Sequence, residues 1–164
     1  MNRKELYKLV DKVLQKPPLD GKLSPDFVKA LISVESSWDV DAQSPYARGL
    51  MQVSKLALKD VNDRYRLGYT WDDMLDPEKN ILVGSIYFKW LLDYWKAKTP
   101  FNPFYIIFAV MSYNFGIGQV RDWIYHTKAD NRYIDEAIPK ETVAHAFDFM
   151  WWFTYFRNRN GDTK

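Results

Sequence analysis

The stretch "ALISVESSWDVDAQSPYARGLMQVS", residues 30–54, carries one glutamate, Glu35, in a run of apolar and small residues. Two aspartates, Asp39 and Asp41, follow it. Helical spacing puts Glu35 four residues past Leu31 and eight past Phe27, on their apolar face and near the end of the helix they belong to. Desolvation and the negative end of a helix dipole both disfavour a charged carboxylate, so this placement raises a carboxyl pKa. An acid kept protonated near neutral pH can deliver a proton to a leaving group. Spacing alone also accommodates a plainer reading, a boundary carboxylate paired with Arg48, and that is the commoner arrangement.

The elements that must position Glu35 read as helices. Leu6, Leu9, Val10, Val13 and Leu14 recur at three- and four-residue intervals, and Pro17-Pro18 ends that stripe. Ser24-Pro25-Asp26 combines a capping hydroxyl, a proline at the first helical position and an acid in the first turn, which predicts a helix to about residue 37. Residues 38–52 read as a loop. A helix is predicted over about 54–66, stopping near Gly68. Another follows Asp76-Pro77-Glu78 to about Lys98, and a third runs from Asn102-Pro103 through Tyr113. Two close glycines in "NFGIG" (114–118) favour a turn, followed by a short helix over about 118–126. The polar stretch 127–138 reads as an exposed loop, and Pro139 opens a last helix to about 157. No convincing strand alternation appears. The expectation is an all-α fold, with little or no β-structure, in a single domain over 1–164 whose motif-bearing core spans about 24–126.

Bulk properties narrow the classes. A chain of 164 residues, 47% hydrophobic and 27% charged, suits one globular core. It has no cysteine, which excludes disulfides, thiolate metal sites and a thiol nucleophile. The net charge of +2 comes with scattered basic residues, so nucleic-acid binding has little support. His126 and His145 show no ligand spacing, so no metal and no cofactor is expected. The first residues show no signal peptide, and no apolar run approaches the ~18 residues of a membrane span. The block "FDFMWWFTYF" (147–156) cannot hide every ring on one helix face. Burial of that helix on most sides is the favoured expectation; the other is an exposed patch contacting a membrane or a second subunit.

Three ordered blocks carry a resemblance. The first places Glu35, Ser36, Trp38 and Ser44 before Gly49-Leu50-Met51-Gln52. The second is "DPEKNILVGSIYFKWLL" (76–92), with Asn80, Ile81, Gly84 and Tyr87. The third is "AVMSYNFGIGQV" (109–120), with Tyr113, Asn114, Gly116, Gly118 and Val120. Together they resemble the lysozyme-like lytic transglycosylases, the SLT family. The chain departs from the pattern in a loop one residue shorter between Ser44 and Gly49, in lacking proline after Met51-Gln52, and in having Ser112 where the family has alanine.

The resemblance implies a goose-type lysozyme-like fold and cleavage of the β-1,4 bond between N-acetylmuramic acid and N-acetylglucosamine, leaving a 1,6-anhydro end. It implies one carboxyl used twice: Glu35 protonates the leaving oxygen, then takes the proton of the muramoyl C6 hydroxyl. The substrate's N-acetyl oxygen steadies the positive centre in between. A conventional glycosidase needs two carboxylates, ~5 Å apart if retaining and ~6.5–9.5 Å apart if inverting. Asp39 and Asp41 are the nearest in sequence and read as solvated loop acids. The resemblance also implies substrate contacts by Ser44 (to the N-acetyl group), Gln52, Tyr113 and Asn114, with Met51 and Tyr87 lining the cleft. Tyr113 could alternatively hold Glu35, Tyr87 could be plain core, and Asn114 a helix-ending turn. The implied partner is the peptidoglycan glycan strand, met in the cell wall, the periplasm or outside the cell, or by a phage-encoded protein released at lysis. The alternatives are a water-using muramidase and a catalytically idle wall-binding module.

Overall fold

A computed structural model describes residues 1–130 and 138–159. Seven α-helices appear among them: α1 (Arg3–Val13), α2 (Pro25–Glu35), α3 (Lys55–Tyr65), α4 (Pro77–Lys98), α5 (Tyr105–Phe115), α6 (Ile117–Asp130) and α7 (Lys140–Arg159). The β-structure is one antiparallel pair, β1 (Ala47–Arg48) and β2 (Val53–Ser54), so the all-α expectation holds. Two compact units divide the chain within α4 and within α7: Met1–Tyr87 with the stretch from Trp151 onward, and Phe88–Met150.

In the first unit, helix starts follow their sequence signals. Asn2 and Glu5 form a reciprocal capping box on α1. Ser24 caps α2 by accepting from the Asp26 N–H, with Pro25 at the first helical position. Ser54 caps α3, whose bounds fall within a residue of the expected 54–66, and Arg66 ends it in the left-handed conformation. Residues 38–52 are more ordered than a plain loop. Gly49 (φ +73°) and Gln52 (φ +45°) turn the chain between the two short strands. The core collects Leu6, Val10 and Val13 of α1, Val28, Leu31 and Ile32 of α2, and Leu50, Met51 and Val53 of the hairpin. Trp38 is buried too. Its Nε1 donates to Ser33 Oγ at 2.8 Å, and its ring meets Tyr7 edge-on at 4.7 Å.

The second unit is built from the rest of α4 with α5, α6 and most of α7. Phe88, Leu91 and Trp95 of α4 are fully buried, as are Val110 of α5 and Phe149 of α7. The buried Trp95 donates its indole N–H to Ser112 Oγ at 2.8 Å, which gives the serine standing at the family's alanine position a physical reason. Helix α5 runs two residues past the expected Tyr113, to Phe115, and is ended by the first glycine of the pair, Gly116, with φ +96°. Helix α6 runs past residue 126 to Asp130, because no glycine or proline interrupts residues 119–138; the remaining loop positions 131–137 lie outside the described residues. The expectation that α7 buries its aromatic block is corrected. Phe149 and Phe156 are inside, but Phe147 is 72% and Trp151 61% exposed. Consecutive rings on a helix spread round its whole circumference, and one buried stripe cannot take them all. Among the described residues, no helix is long and apolar enough to cross a membrane.

Two expected outcomes follow. A Cβ on Gly84 would lie 2.7 Å from Met51 Sδ and 2.8 Å from Met51 Cβ. Gly84→Ala should therefore lower the unfolding free energy by about 1–3 kcal/mol, and an unchanged urea midpoint would show that the fit is loose. The second concerns the 3₁₀ turn Asp72–Leu75. The Lys79 ammonium, then the Thr70 N–H and hydroxyl, hold the Asp73 carboxyl well below the usual carboxylate range. A depressed folded pKa gives stability that is full above the unfolded value of about 3.9 and is lost as pH falls below it. The midpoint gap between wild type and Asp73→Asn should thus narrow as pH drops from about 5 toward 2. A gap constant over that range refutes the assignment.

Candidate functional site

Glu35 is the last residue of α2. It is half-buried, with Oε1 shielded from solvent, so the sequence places a carboxyl at a helix end partly out of water as expected. Asp39 and Asp41 are both exposed, and Asp39 accepts from the Asp41 N–H at 3.0 Å, an Asx turn of the kind loop acids make. Arg48, the alternative partner considered for Glu35, donates through Nη1 to Asp72 at 2.7 Å.

The hairpin after α2 carries three of the expected residues. Ser44 is exposed, and its Oγ accepts from the N–H groups of Tyr46 (3.2 Å) and Ala47 (3.0 Å), shaping the turn. Gln52 is half-buried and commits its side-chain N–H groups to Ala42 O (3.0 Å) and Gly49 O (2.9 Å), closing the loop it ends. Met51 corrects an expectation. It was read as cleft lining, but it is 0% exposed and packs against Gly84, so it offers no surface to a ligand. Tyr87 is half-buried on α4. Burial pushes its phenol pKa up, Asp60 adds to the rise, and Arg64 opposes it.

Tyr113 and Asn114 belong to the other compact unit. Tyr113 is half-buried, its ring edge-on to Phe88 at 5.9 Å. Asn114 is exposed in the last turns of α5, and its Oδ1 accepts from the hydroxyl of Thr142 at 3.0 Å. It is thus inside the helix and engaged, rather than the turn residue that the glycine pair suggested. Trp38 is core. Trp71 is half-buried, with the Arg48 guanidinium 4.9 Å and the Lys55 ammonium 5.3 Å from its ring.

Sequence reasoning assigned no role to two residues that organise this region. Ser36, beside Glu35, donates through Oγ to Leu50 O at 2.7 Å and accepts from the Trp38 N–H at 3.2 Å. Asn80, fully buried on α4, accepts from the Met51 N–H and donates to Arg48 O and Met74 O, all at 2.8 Å. The available signal for Asn80 was an amide in the first turn of a helix, directly followed by the apolar run Ile81-Leu82-Val83, where an exposed cap would sit earlier. Among the described residues, no group of three or more His, Cys, Asp or Glu could hold a metal ion.

Comparison with known proteins agrees with the sequence blocks. Residues 13–135 match the family model described as the transglycosylase SLT domain. The soluble lytic murein transglycosylase of Escherichia coli K12 is 28% identical over 165 aligned residues, covering 96% of this chain and 24% of that protein. The membrane-bound lytic murein transglycosylase F of Pasteurella multocida is 34% identical over 103 residues, 62% of this chain and 19% of that protein. Among solved structures, the 70 kDa soluble lytic transglycosylase of E. coli superposes with a TM-score of 0.71 at 26% identity. Its complex with bulgecin A superposes with a TM-score of 0.72 at 25% identity, and each structure covers 97% of this chain and 24% of its own. The chain therefore spans 19–24% of the length of these relatives. With three-quarters of its residues inside the family match, this chain belongs to the transglycosylase SLT domain family.

Proposed function

We propose that the chain is a lytic transglycosylase of peptidoglycan, acting on the cell wall as one domain, with Glu35 as its only acid and base. The observation that carries the reading is the setting of Glu35: a half-buried carboxyl at the end of α2, inside the block that aligns with the family, with the two nearby acids exposed. Glu35 protonates the glycosidic oxygen between muramic acid and glucosamine as it leaves. The substrate's own N-acetyl oxygen shields the anomeric carbon, so no protein nucleophile is needed; such substrate assistance is a known departure from the two-carboxylate scheme. The Glu35 carboxylate then accepts the C6 hydroxyl proton, and that oxygen closes the 1,6-anhydro ring. No water is consumed, and the carboxyl returns to its starting state.

The supporting roles follow from donor and acceptor chemistry. Ser44 Oγ already accepts two backbone N–H bonds, while its own O–H reaches only Ala47 O at a long 3.5 Å. That leaves a donor suited to an N-acetyl carbonyl. Gln52 spends its amide hydrogens on the loop, so Oε1 is the end that meets a sugar hydroxyl. Tyr87, Tyr113 and Asn114 are accessible polar groups for further contacts; buried Met51 is not.

Digestion of purified sacculi, with the soluble fragments read by mass spectrometry, tests the proposal. Anhydro-muramoyl products are expected, and Glu35→Gln should reduce their release about 10²–10⁴-fold without lowering Tm. Fragments with reducing ends alone would mean attack by water, making the protein a muramidase. A wild type that binds sacculi but releases nothing would make it an idle wall-binding module.

A further inference from the structure

The buried amide of Asn80 and the hydroxyl of Ser36 grip the same peptide group. Leu50 C=O and Met51 N–H are the two ends of one planar unit. Ser36 Oγ donates to its oxygen at 2.7 Å, and Asn80 Oδ1 accepts from its nitrogen at 2.8 Å. Both bonds polarise the peptide in the same sense, and hydrogen bonds in such chains strengthen one another. The two side chains come from different sequence blocks, the first and the second. Ser36 caps α2 directly after Glu35, and Asn80 sits in the first turn of α4.

The surroundings are built to admit this grip. Gly49, one residue before the clamped peptide, has φ +73°, and a Cβ there would lie 2.3 Å from both Asn80 Nδ2 and Met74 O. Asn80 Nδ2 spends its two hydrogens on Arg48 O and Met74 O while Oδ1 accepts from Met51, so the amide cannot turn over without losing all three bonds. Ser36 Oγ also receives the Trp38 N–H, and of the two carbonyls within reach of its proton, Leu50 O at 2.7 Å is much nearer than Ile32 O at 3.3 Å. Burial is complete at Asn80, Leu50 and Met51, so water does not compete for these groups.

We propose that Asn80 is a positioning residue for Glu35: it holds the Leu50–Met51 peptide, which holds Ser36, which fixes the end of α2 where the Glu35 carboxyl begins. This rests on the reading of Glu35 as the acid and base. Asn80 touches no reacting atom. Its contribution is to keep the carboxyl in register with the hairpin that carries Ser44 and Gln52. Small errors in such registration cost rate far more than they cost binding.

The test compares wild type with Ser36→Ala, Asn80→Ala and the double variant, assayed well below their Tm. The measured quantities are kcat and KM for release of soluble fragments from sacculi, the titration midpoint of the Glu35 carboxyl by ¹³C NMR, and hydrogen exchange at the Met51 amide. Each single variant should lose about ten- to a hundredfold in kcat with KM within about threefold of wild type. The double variant should be no slower than the worse single, since both act through one peptide. The Glu35 midpoint should move, and the Met51 amide should exchange faster, in both singles. Folded variants with wild-type kcat and an unmoved Glu35 midpoint overturn the proposal. So do losses that multiply in the double variant. Should Asn80→Ala fail to fold, Ser36→Ala alone decides by the same readouts. If wild type releases nothing from sacculi, the functional reading falls; the clamp is then judged on the Glu35 midpoint and Met51 exchange, which need no activity.

Discussion

One buried amide sets much of the first unit. Leaving a polar group dry and unpaired costs roughly 1–3 kcal/mol, so Asn80 can be fully buried only where three backbone partners are presented to it together. That requirement fixes the hairpin residue Arg48, the peptide at Leu50–Met51 and the end of the 3₁₀ turn at Met74 in one arrangement. Gly49 has to lack a side chain for the same reason, and Met51 is brought against Gly84. A helix start, a two-stranded hairpin and a short turn, distant in sequence, become one local structure through a single side chain.

Surface charge plays a different part. Lys12 and Lys16 flank Glu78, Lys79 meets Asp73, and Lys29 meets Asp11. Pairs at a solvated surface are screened by water and contribute little, so they do not hold the fold. They do hold acids away from other work. Asp72 of the 3₁₀ turn is taken by Arg48 of the hairpin, and Asp39, near Glu35 in sequence, by its own loop, so both carboxylates already have partners.

The parts of this molecule that could be read from sequence are those set by local chemistry. Ser24-Pro25 and Asp76-Pro77 marked helix starts because capping and proline geometry act within a few residues. The three blocks, in order, were enough to point to the family. Periodicity also put Glu35 on the edge of a buried face, although it could not tell an acid from a boundary residue. The rest depended on distant neighbours. Met51 reads as an accessible apolar residue until Gly84 is seen to receive it. Whether Phe147 and Trp151 are inside or outside depends on what α7 packs against, which spacing does not encode. Asn80 looks like part of a helix start, and only its partners 29 and 32 residues earlier explain why it is buried.

Ser112 and Trp95 make each other's identity a shared requirement. The serine stands where the family has alanine, and its hydroxyl is the partner of a buried indole N–H. Replacing the serine by alanine would strand that donor in the core, at a cost of about 1–3 kcal/mol. Truncating the tryptophan would leave a large void, which is costlier still. Each residue is therefore held by the other, and substitutions at the two positions should not be additive.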